Sequence, residues 1–154
     1  MVNINKVSTT LHNLVLINND RAKGYEKASD HIKLIDDELK ELFDECAEES
    51  HFYANELHEK LRLLGTEDGI ESTTLPGKIY RTWMDLKFAF SSADRTTILS
   101  ACEFVEDAVQ KAYNEALEAA EFMDGDTLRM IEVQKNSLRD SHDLIKDYRD
   151  RSAA

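Results

Sequence analysis

The sequence predicts an all-α protein, and three observations carry that prediction. Five glycines and one proline in 154 residues leave long stretches of chain without the usual helix interrupters. Apolar residues recur at spacings of three and four in four such stretches, which is the pattern of a buried helix face. No stretch of useful length alternates apolar and polar residues as a half-buried strand does. We therefore expect a four-helix bundle.

The first two helices follow from this pattern and from their capping residues. The first helix is predicted from about Ser8 to His31. The second begins after Asp36 or Asp37, because an aspartate side chain accepts hydrogen bonds from the free amides of a helix N-terminus. It ends at Gly65, since glycine tolerates the left-handed conformation found just past many helices.

The second half of the chain repeats this organisation. A third helix is predicted from a cap at Asp94 to about Glu121, and a fourth begins after Asp126. About thirty residues separate the second and third helices, and they contain a short helix, "KIYRTWMDLKFAF" (78–90). Short joins make each pair of helices an antiparallel hairpin, and a long central crossover is typical of the ferritin-like arrangement. Residues 1–154 are predicted to form one domain of this kind.

The charge balance excludes several classes of partner. Thirty-one acidic side chains against nineteen basic ones give a net charge of −12, which opposes binding to nucleic acid or to an anionic membrane surface. No apolar run approaches the ~20 residues of a membrane span, and no signal peptide opens the chain. Cys46 and Cys102 fall on apolar helix faces and are interpreted as buried, reduced thiols. Together these features indicate a cytoplasmic protein.

A bundle with a long crossover raises the question of a di-metal centre. Such a centre takes a Glu from each of two helices and a Glu-x-x-His pair from each of the others, all projecting inward. Glu48 and His51 have that spacing, but the helical phase turns both away from the apolar face. On the fourth helix His142 lies in the middle of the apolar face, yet its i−3 neighbour is Arg139, where a carboxylate is required.

A different set of polar residues is predicted to point inward. The set is Asn18, Glu26, Glu49, Glu106 and His142. We favour a buried polar cluster around Glu106, because a buried carboxylate needs a partner. Its predicted hydrogen-bond partner is Tyr25 or Tyr113, and its predicted ionic partner is Arg21 or His142.

The alternative interpretation of the inward residues is a bound metal. Glu26, Glu49, Glu106 and His142 offer oxygen and nitrogen ligands for iron or another divalent cation. They are fewer than the ligands of a complete di-metal set, so the site would be incomplete. No residue is assigned a catalytic role.

Four segments of the chain carry a resemblance to a known family. They are "DRAKGYEKA" (20–28), "GKIYRTWMDLK" (77–87), "ILSACEFVEDAVQKAYNEAL" (98–117) and "SHDLIKDYRD" (141–150). The chain resembles an uncharacterised bacterial ferritin-like family of four-helix-bundle proteins, which is marked by an Arg-x-Trp-Met-Asp-Leu-Lys crossover and an acid-rich third helix. The resemblance implies a ferritin-like bundle and a bacterial cytoplasmic setting, and it implies no established reaction.

The resemblance also implies a set of marked positions. They are Tyr25, Arg81, Trp83, Lys87, Glu103, Glu106 and Tyr113. The crossover residues suit a lid on the bundle, in which Trp83 buries a large apolar surface. Arg81 would pair there with a carboxylate such as Glu103 or Asp107.

These features predict a non-catalytic bundle with a polar core, of a stress-associated or partner-binding kind. Apolar residues on the predicted outer faces leave assembly into a homo-oligomer open. They are Leu16, Leu34, Phe52, Val133 and Leu144. The alternative function is that of a metal-binding ferritin-like protein, which handles iron or acts as an oxidoreductase.

Overall fold

The computed structural model describes residues 2–32, 34–66 and 95–153. The helices in these ranges are α1 (Ile4–Ile32), α2 (Asp37–Leu63), α3 (Arg95–Leu117) and α4 (Gly125–Ala153). A short 3₁₀ turn, Ala120–Phe122, lies between α3 and α4. The described ranges contain no strand, which confirms the predicted all-α bundle. None of the helices described there is both long enough and apolar enough to cross a membrane.

The predicted crossover lies outside the described residues. It comprises the short helix at 78–90 with the marked positions Arg81, Trp83 and Lys87, and it is followed by the predicted cap Asp94.

The helices form two antiparallel hairpins. α1 packs closely on α2, and α3 packs closely on α4. Within the first hairpin, Ser8 near the start of α1 bonds Thr66 just past α2, and Ser29 near the end of α1 bonds Asp44. The two helices therefore run in opposite directions, as the short join between them predicts.

The hairpins are also antiparallel where they meet. α1 contacts α3, and α2 contacts α4. The contacts that fix these directions are Asn3 with Phe122 and Arg21 with Glu106 on one side, and Glu56 with Gln134 and Glu49 with Ser141 on the other. It follows that α2 and α3 run in the same direction, and that the end of α2 and the start of α3 lie at opposite ends of the bundle.

The predicted boundaries of α2 are confirmed. Asp36 is the N-cap, and its carboxylate accepts a hydrogen bond of 3.1 Å from the Leu39 amide. Gly65, two residues past the helix, has φ +73°, the left-handed conformation that favours glycine. α3 ends at Leu117, earlier than the predicted Glu121, because the chain tightens into the 3₁₀ turn there.

The predicted cap of α4 is wrong. Asp124, rather than Asp126, accepts a hydrogen bond of 2.7 Å from the Thr127 amide. Asp126 is exposed in the first turn and lies 3.5 Å from Arg129. Asp124 directly precedes the helix, so its carboxylate reaches the free amide of Thr127 three residues later. Asp126 already lies within the first turn, where its side chain does not make this bond.

We expect Asp124→Ala to lower the free energy of unfolding by about 1 kcal/mol at neutral pH, the usual cost of losing an N-cap. Asp126→Ala is the matched control and should cost less, because Asp126 supplies first-turn charge without a capping bond. Hydrogen bonds from Thr127 hold the pKa of Asp124 below its ordinary value. The cap therefore stabilises the fold above the ordinary aspartate pKa and loses that effect as the pH falls through the lowered one.

Urea denaturation of both variants at pH 7 and in acid measures this difference. An equal or larger loss from Asp126→Ala at pH 7 would restore Asp126 as the cap.

The bundle core is divided along its length into two apolar clusters. On α1 one cluster ends at Ile17 and the other begins at Tyr25. On α2 the division falls between Ala47 and Tyr53. The buried Arg21, Ser50 and Glu106 and the partly buried Glu49 occupy the level between the clusters, and we call these four residues the polar layer.

Candidate functional site

Arg21 of α1 is the centre of the polar layer. Its side chain is 0% exposed. Its Nε and Nη2 atoms donate to the two carboxylate oxygens of Glu106 on α3, at 2.8 and 2.7 Å. Its Nη1 atom donates to Ser50 Oγ at 2.8 Å and to the Cys46 carbonyl at 3.0 Å, both on α2. The planar fork of the guanidinium thus binds one carboxylate in bidentate fashion and ties three helices together.

Glu106 is as deeply buried as Arg21. Only 1% of it is exposed, and the Tyr25 hydroxyl donates a third hydrogen bond to it at 3.1 Å. Burial by itself lowers the pKa of Arg21, because it disfavours the charged form. Glu106, with smaller contributions from Cys46 and Tyr25, outweighs burial and raises the pKa of Arg21 well above its ordinary value. Burial and the same carboxylate raise the pKa of Tyr25. The cluster therefore contains a cationic guanidinium beside a neutral phenol at physiological pH.

Glu49 connects the polar layer to the fourth helix. Its Oε1 atom lies 3.1 Å from Arg21 Nη1. The hydroxyls of Ser137 and Ser141 on α4 donate to its two oxygens, each at 2.8 Å. Every helix of the bundle thus contributes to one connected set of ionic and hydrogen-bonded contacts.

A second chain of polar contacts crosses the bundle beside the polar layer. The Asn18 amide donates to the Tyr113 hydroxyl at 2.9 Å, and that hydroxyl donates to Gln134 Oε1 at 2.7 Å. Gln134 Nε2 then donates to Glu56 at 3.2 Å. Asn18, Tyr113 and Gln134 are all 0% exposed. The side-chain oxygen of Asn18, Oδ1, has no hydrogen-bond partner in the described part of the chain.

The structure gives the four predicted metal ligands different surroundings. Glu106 points inward as predicted, and its partners are Arg21 and Tyr25 rather than Tyr113 or His142. Glu49 shares Arg21 with Glu106. Glu26 is exposed and pairs with His51 across the first hairpin.

The predicted position of His142 is corrected by the structure. It lies at the seam between α3 and α4, 2.6 Å from Asp107 and 3.1 Å from Asp143, and not at the centre of the core. The buried face of α4 carries Ile131, Gln134 and Leu138 instead. The four predicted ligands therefore do not surround one point.

Sequence reasoning missed the fully buried Gln134 and gave Arg21 only as one of two alternatives. Arg21 was considered only as one partner for Glu106, although it lies three residues after Asn18 and four before Tyr25 on one helix face. Gln134 lies three residues after Ile131 and four before Leu138, which is the same signal. The helical spacing places both residues on buried faces. Long polar side chains are, however, normally expected to face the solvent.

Both cysteines lie in the apolar cluster next to the polar layer, as predicted. Burial raises the pKa of the Cys46 thiol to about 12 and raises the pKa of Cys102 as well. Since the thiolate is the reactive form, we expect no rapid reaction with the thiol reagent DTNB at pH 8. After unfolding in guanidinium, both thiols of the chain should react. Rapid labelling of either thiol in the folded protein would contradict this prediction.

The comparison with known protein families gives one match. A family model described as "Domain of unknown function (DUF2383)" matches residues 6–119. The matched segment contains Arg21, Glu49 and Glu106, and it stops before α4. No curated protein and no solved structure matches the chain significantly.

Proposed function

Because the chain belongs to the family described as Domain of unknown function (DUF2383), which carries no assigned activity, we propose its function from the geometry alone. The protein is a non-catalytic ferritin-like bundle. In it a guanidinium replaces the metal ions that related bundles hold between inward carboxylates. The polar layer then contains a permanent internal ion pair, and its contacts hold the four helices together.

The observation that carries this proposal is the bidentate pair of Arg21 and Glu106. Both Glu106 oxygens accept hydrogen bonds from the guanidinium, and Glu49 faces the same cation. A metal ion bound by these carboxylates would lie beside a fully buried guanidinium, and the two positive charges would repel each other at close range. To admit the metal, Arg21 would have to leave its site, although it has no exposed surface.

The direction of the helices supports the ferritin-like part of the proposal. Each helix is antiparallel to its two neighbours, and α2 runs parallel to α3. A bundle with these directions needs a connection that returns along its whole length, which is the feature that separates ferritin-like bundles from up-and-down bundles.

Metal binding at the polar layer tests this proposal directly. The full chain is incubated with Fe²⁺ without oxygen, and the bound metal is measured for the wild type, Glu106→Gln and Glu49→Gln. We expect the same metal content in all three proteins. Glu49→Gln keeps the test informative if Glu106→Gln does not fold, because Glu49 is partly accessible to solvent.

The result that would overturn the proposal is a loss of bound metal in either variant when circular dichroism shows the wild-type helix content. Faster consumption of oxygen with Fe²⁺ by the wild type than by buffer, abolished in the same variants, would also overturn it. Metal held elsewhere on the surface leaves the three proteins equal and supports it.

A further inference from the structure

Three potential metal ligands meet on the surface of the second hairpin. Glu103 and Asp107 of α3 and His142 of α4 each offer one ligand atom, and these atoms lie within 4.8 Å of one another. Glu103 and Asp107 share a helix face because they are four residues apart. The antiparallel course of α4 brings His142 to the same place. We call these three residues the seam triad.

The imidazole of His142 is already oriented toward the two carboxylates. Its side chain is 18% exposed, and its Nε2 atom lies 2.6 Å from Asp107 Oδ1. Its Nδ1 atom lies 3.1 Å from Asp143 Oδ1, on a residue outside the triad. When a histidine binds a metal, its second ring nitrogen nearly always donates to a carboxylate or a carbonyl in this way. With Nδ1–H donating to Asp143, Nε2 is the ligand atom, and a metal ion would displace the contact between Nε2 and Asp107.

We propose that the seam triad binds one divalent transition-metal ion, for which Zn²⁺ is the probe. Two carboxylate oxygens and one imidazole nitrogen are ligands that Zn²⁺ accepts, and water completes the coordination. The net charge of −12 raises the local concentration of cations near such a site.

The seam triad is separate from the polar layer. Asp107 directly follows Glu106 in the sequence, but its side chain is 63% exposed while that of Glu106 is 1% exposed. The two residues point to different sides of α3. This inference therefore goes beyond the proposed function, which concerns Arg21, Glu49 and Glu106 alone.

A metal at the seam triad must compete with the contact between His142 and Asp107 and with one further ion pair. Arg149 of α4 pairs with Glu103. Its Nη2 atom also lies 2.9 Å from Asp150, so the guanidinium keeps a carboxylate partner when Glu103 turns to the metal. Removing Arg149 should consequently strengthen metal binding.

Titration of the full chain with Zn²⁺ in a calorimeter tests the proposal. We expect one ion per chain, and a loss of affinity of at least about tenfold in His142→Gln and in Asp107→Asn. His51→Gln is the matched control, because His51 and Glu26 form the corresponding carboxylate–imidazole pair of the first hairpin, and no third ligand joins them among the described residues. His51→Gln should bind Zn²⁺ as the wild type does, and Arg149→Gln should bind it more tightly.

Three results would overturn the proposal. They are the absence of binding by the wild type, unchanged affinity in Asp107→Asn and His142→Gln, and a loss in His51→Gln equal to that in His142→Gln. Asp107→Asn changes an exposed side chain and keeps the test valid if His142→Gln unfolds. Failure here leaves the proposed function intact, because that function predicts metal content independent of Glu49 and Glu106.

Discussion

Arg21→Met is expected to lower the free energy of unfolding by about 3–5 kcal/mol, the usual cost of breaking a buried ion pair by removing one partner. The methionine fills much of the space of the arginine stem. It leaves the carboxylate of Glu106 buried, with Tyr25 as the remaining hydrogen-bond donor among residues 2–32, 34–66 and 95–153. An unpaired buried charge is costly because the protein interior solvates it poorly. Denaturation in urea, followed by circular dichroism, measures the change.

The double variant Arg21→Met/Glu106→Leu separates the cost of an unpaired charge from the cost of lost packing. Removing both charges should recover most of the stability, since apolar replacements of a buried ion pair are often neutral or stabilising. Arg129→Met provides a control on the surface, where Arg129 lies 3.5 Å from Asp126 and should contribute less than about 1 kcal/mol. If the double variant is no more stable than Arg21→Met, the loss arises from packing and from Glu49 and Ser50, which also lose Arg21, and not from the charge of Glu106.

Tyr113→Phe is expected to destabilise the protein by about 1–3 kcal/mol. The Tyr113 hydroxyl accepts from Asn18 and donates to Gln134, and both partners are fully buried. Without it, Gln134 Oε1 loses its buried donor, and Asn18 Nδ2 keeps only its hydrogen bond to the Leu14 carbonyl of the two described for it. The substitution keeps the phenyl ring, so little packing is lost.

Tyr148→Phe is the matched control for Tyr113→Phe. Tyr148 is only partly buried and lies under the guanidinium groups of Arg95 and Arg151, which a phenylalanine ring can still contact. We expect a change below about 0.5 kcal/mol, as for most surface substitutions. Equal effects of the two variants would show that the chain from Asn18 to Glu56 contributes little to stability.

The sequence was sufficient for the four described α-helices and for the inward position of Glu106. Apolar spacing sets the phase of α3 firmly, because Cys102, Val105 and Val109 flank Glu106 on one face. Asp36 and Gly65 mark the ends of α2 by local chemistry that does not depend on tertiary contacts. The resemblance to an uncharacterised family agrees with the family match, which carries no assigned activity.

The choice among the predicted partners of Glu106 could not be made in the same way. Arg21 and Glu106 are 85 residues apart, and their contact depends on which helices become neighbours and at what height. His142 was placed too near the axis because the apolar face of α4 is interrupted by Thr127 and Gln134, which blur its centre. Glu26 lies at a helix edge where a long side chain reaches water, so angular position alone could not decide its exposure.

The position of the polar layer between two apolar clusters also limits how α1 and α3 can slide past each other. Apolar side chains fit one another at several offsets, whereas a forked guanidinium fits its carboxylate at one. A shift by one helical turn moves a residue by about 5.4 Å. This distance exceeds the length of a hydrogen bond, so both charges would be buried without a partner. We therefore expect the Arg21→Met/Glu106→Leu protein, even if stable, to show broadened or doubled NMR amide resonances along α1 and α3, the sign of alternative registers.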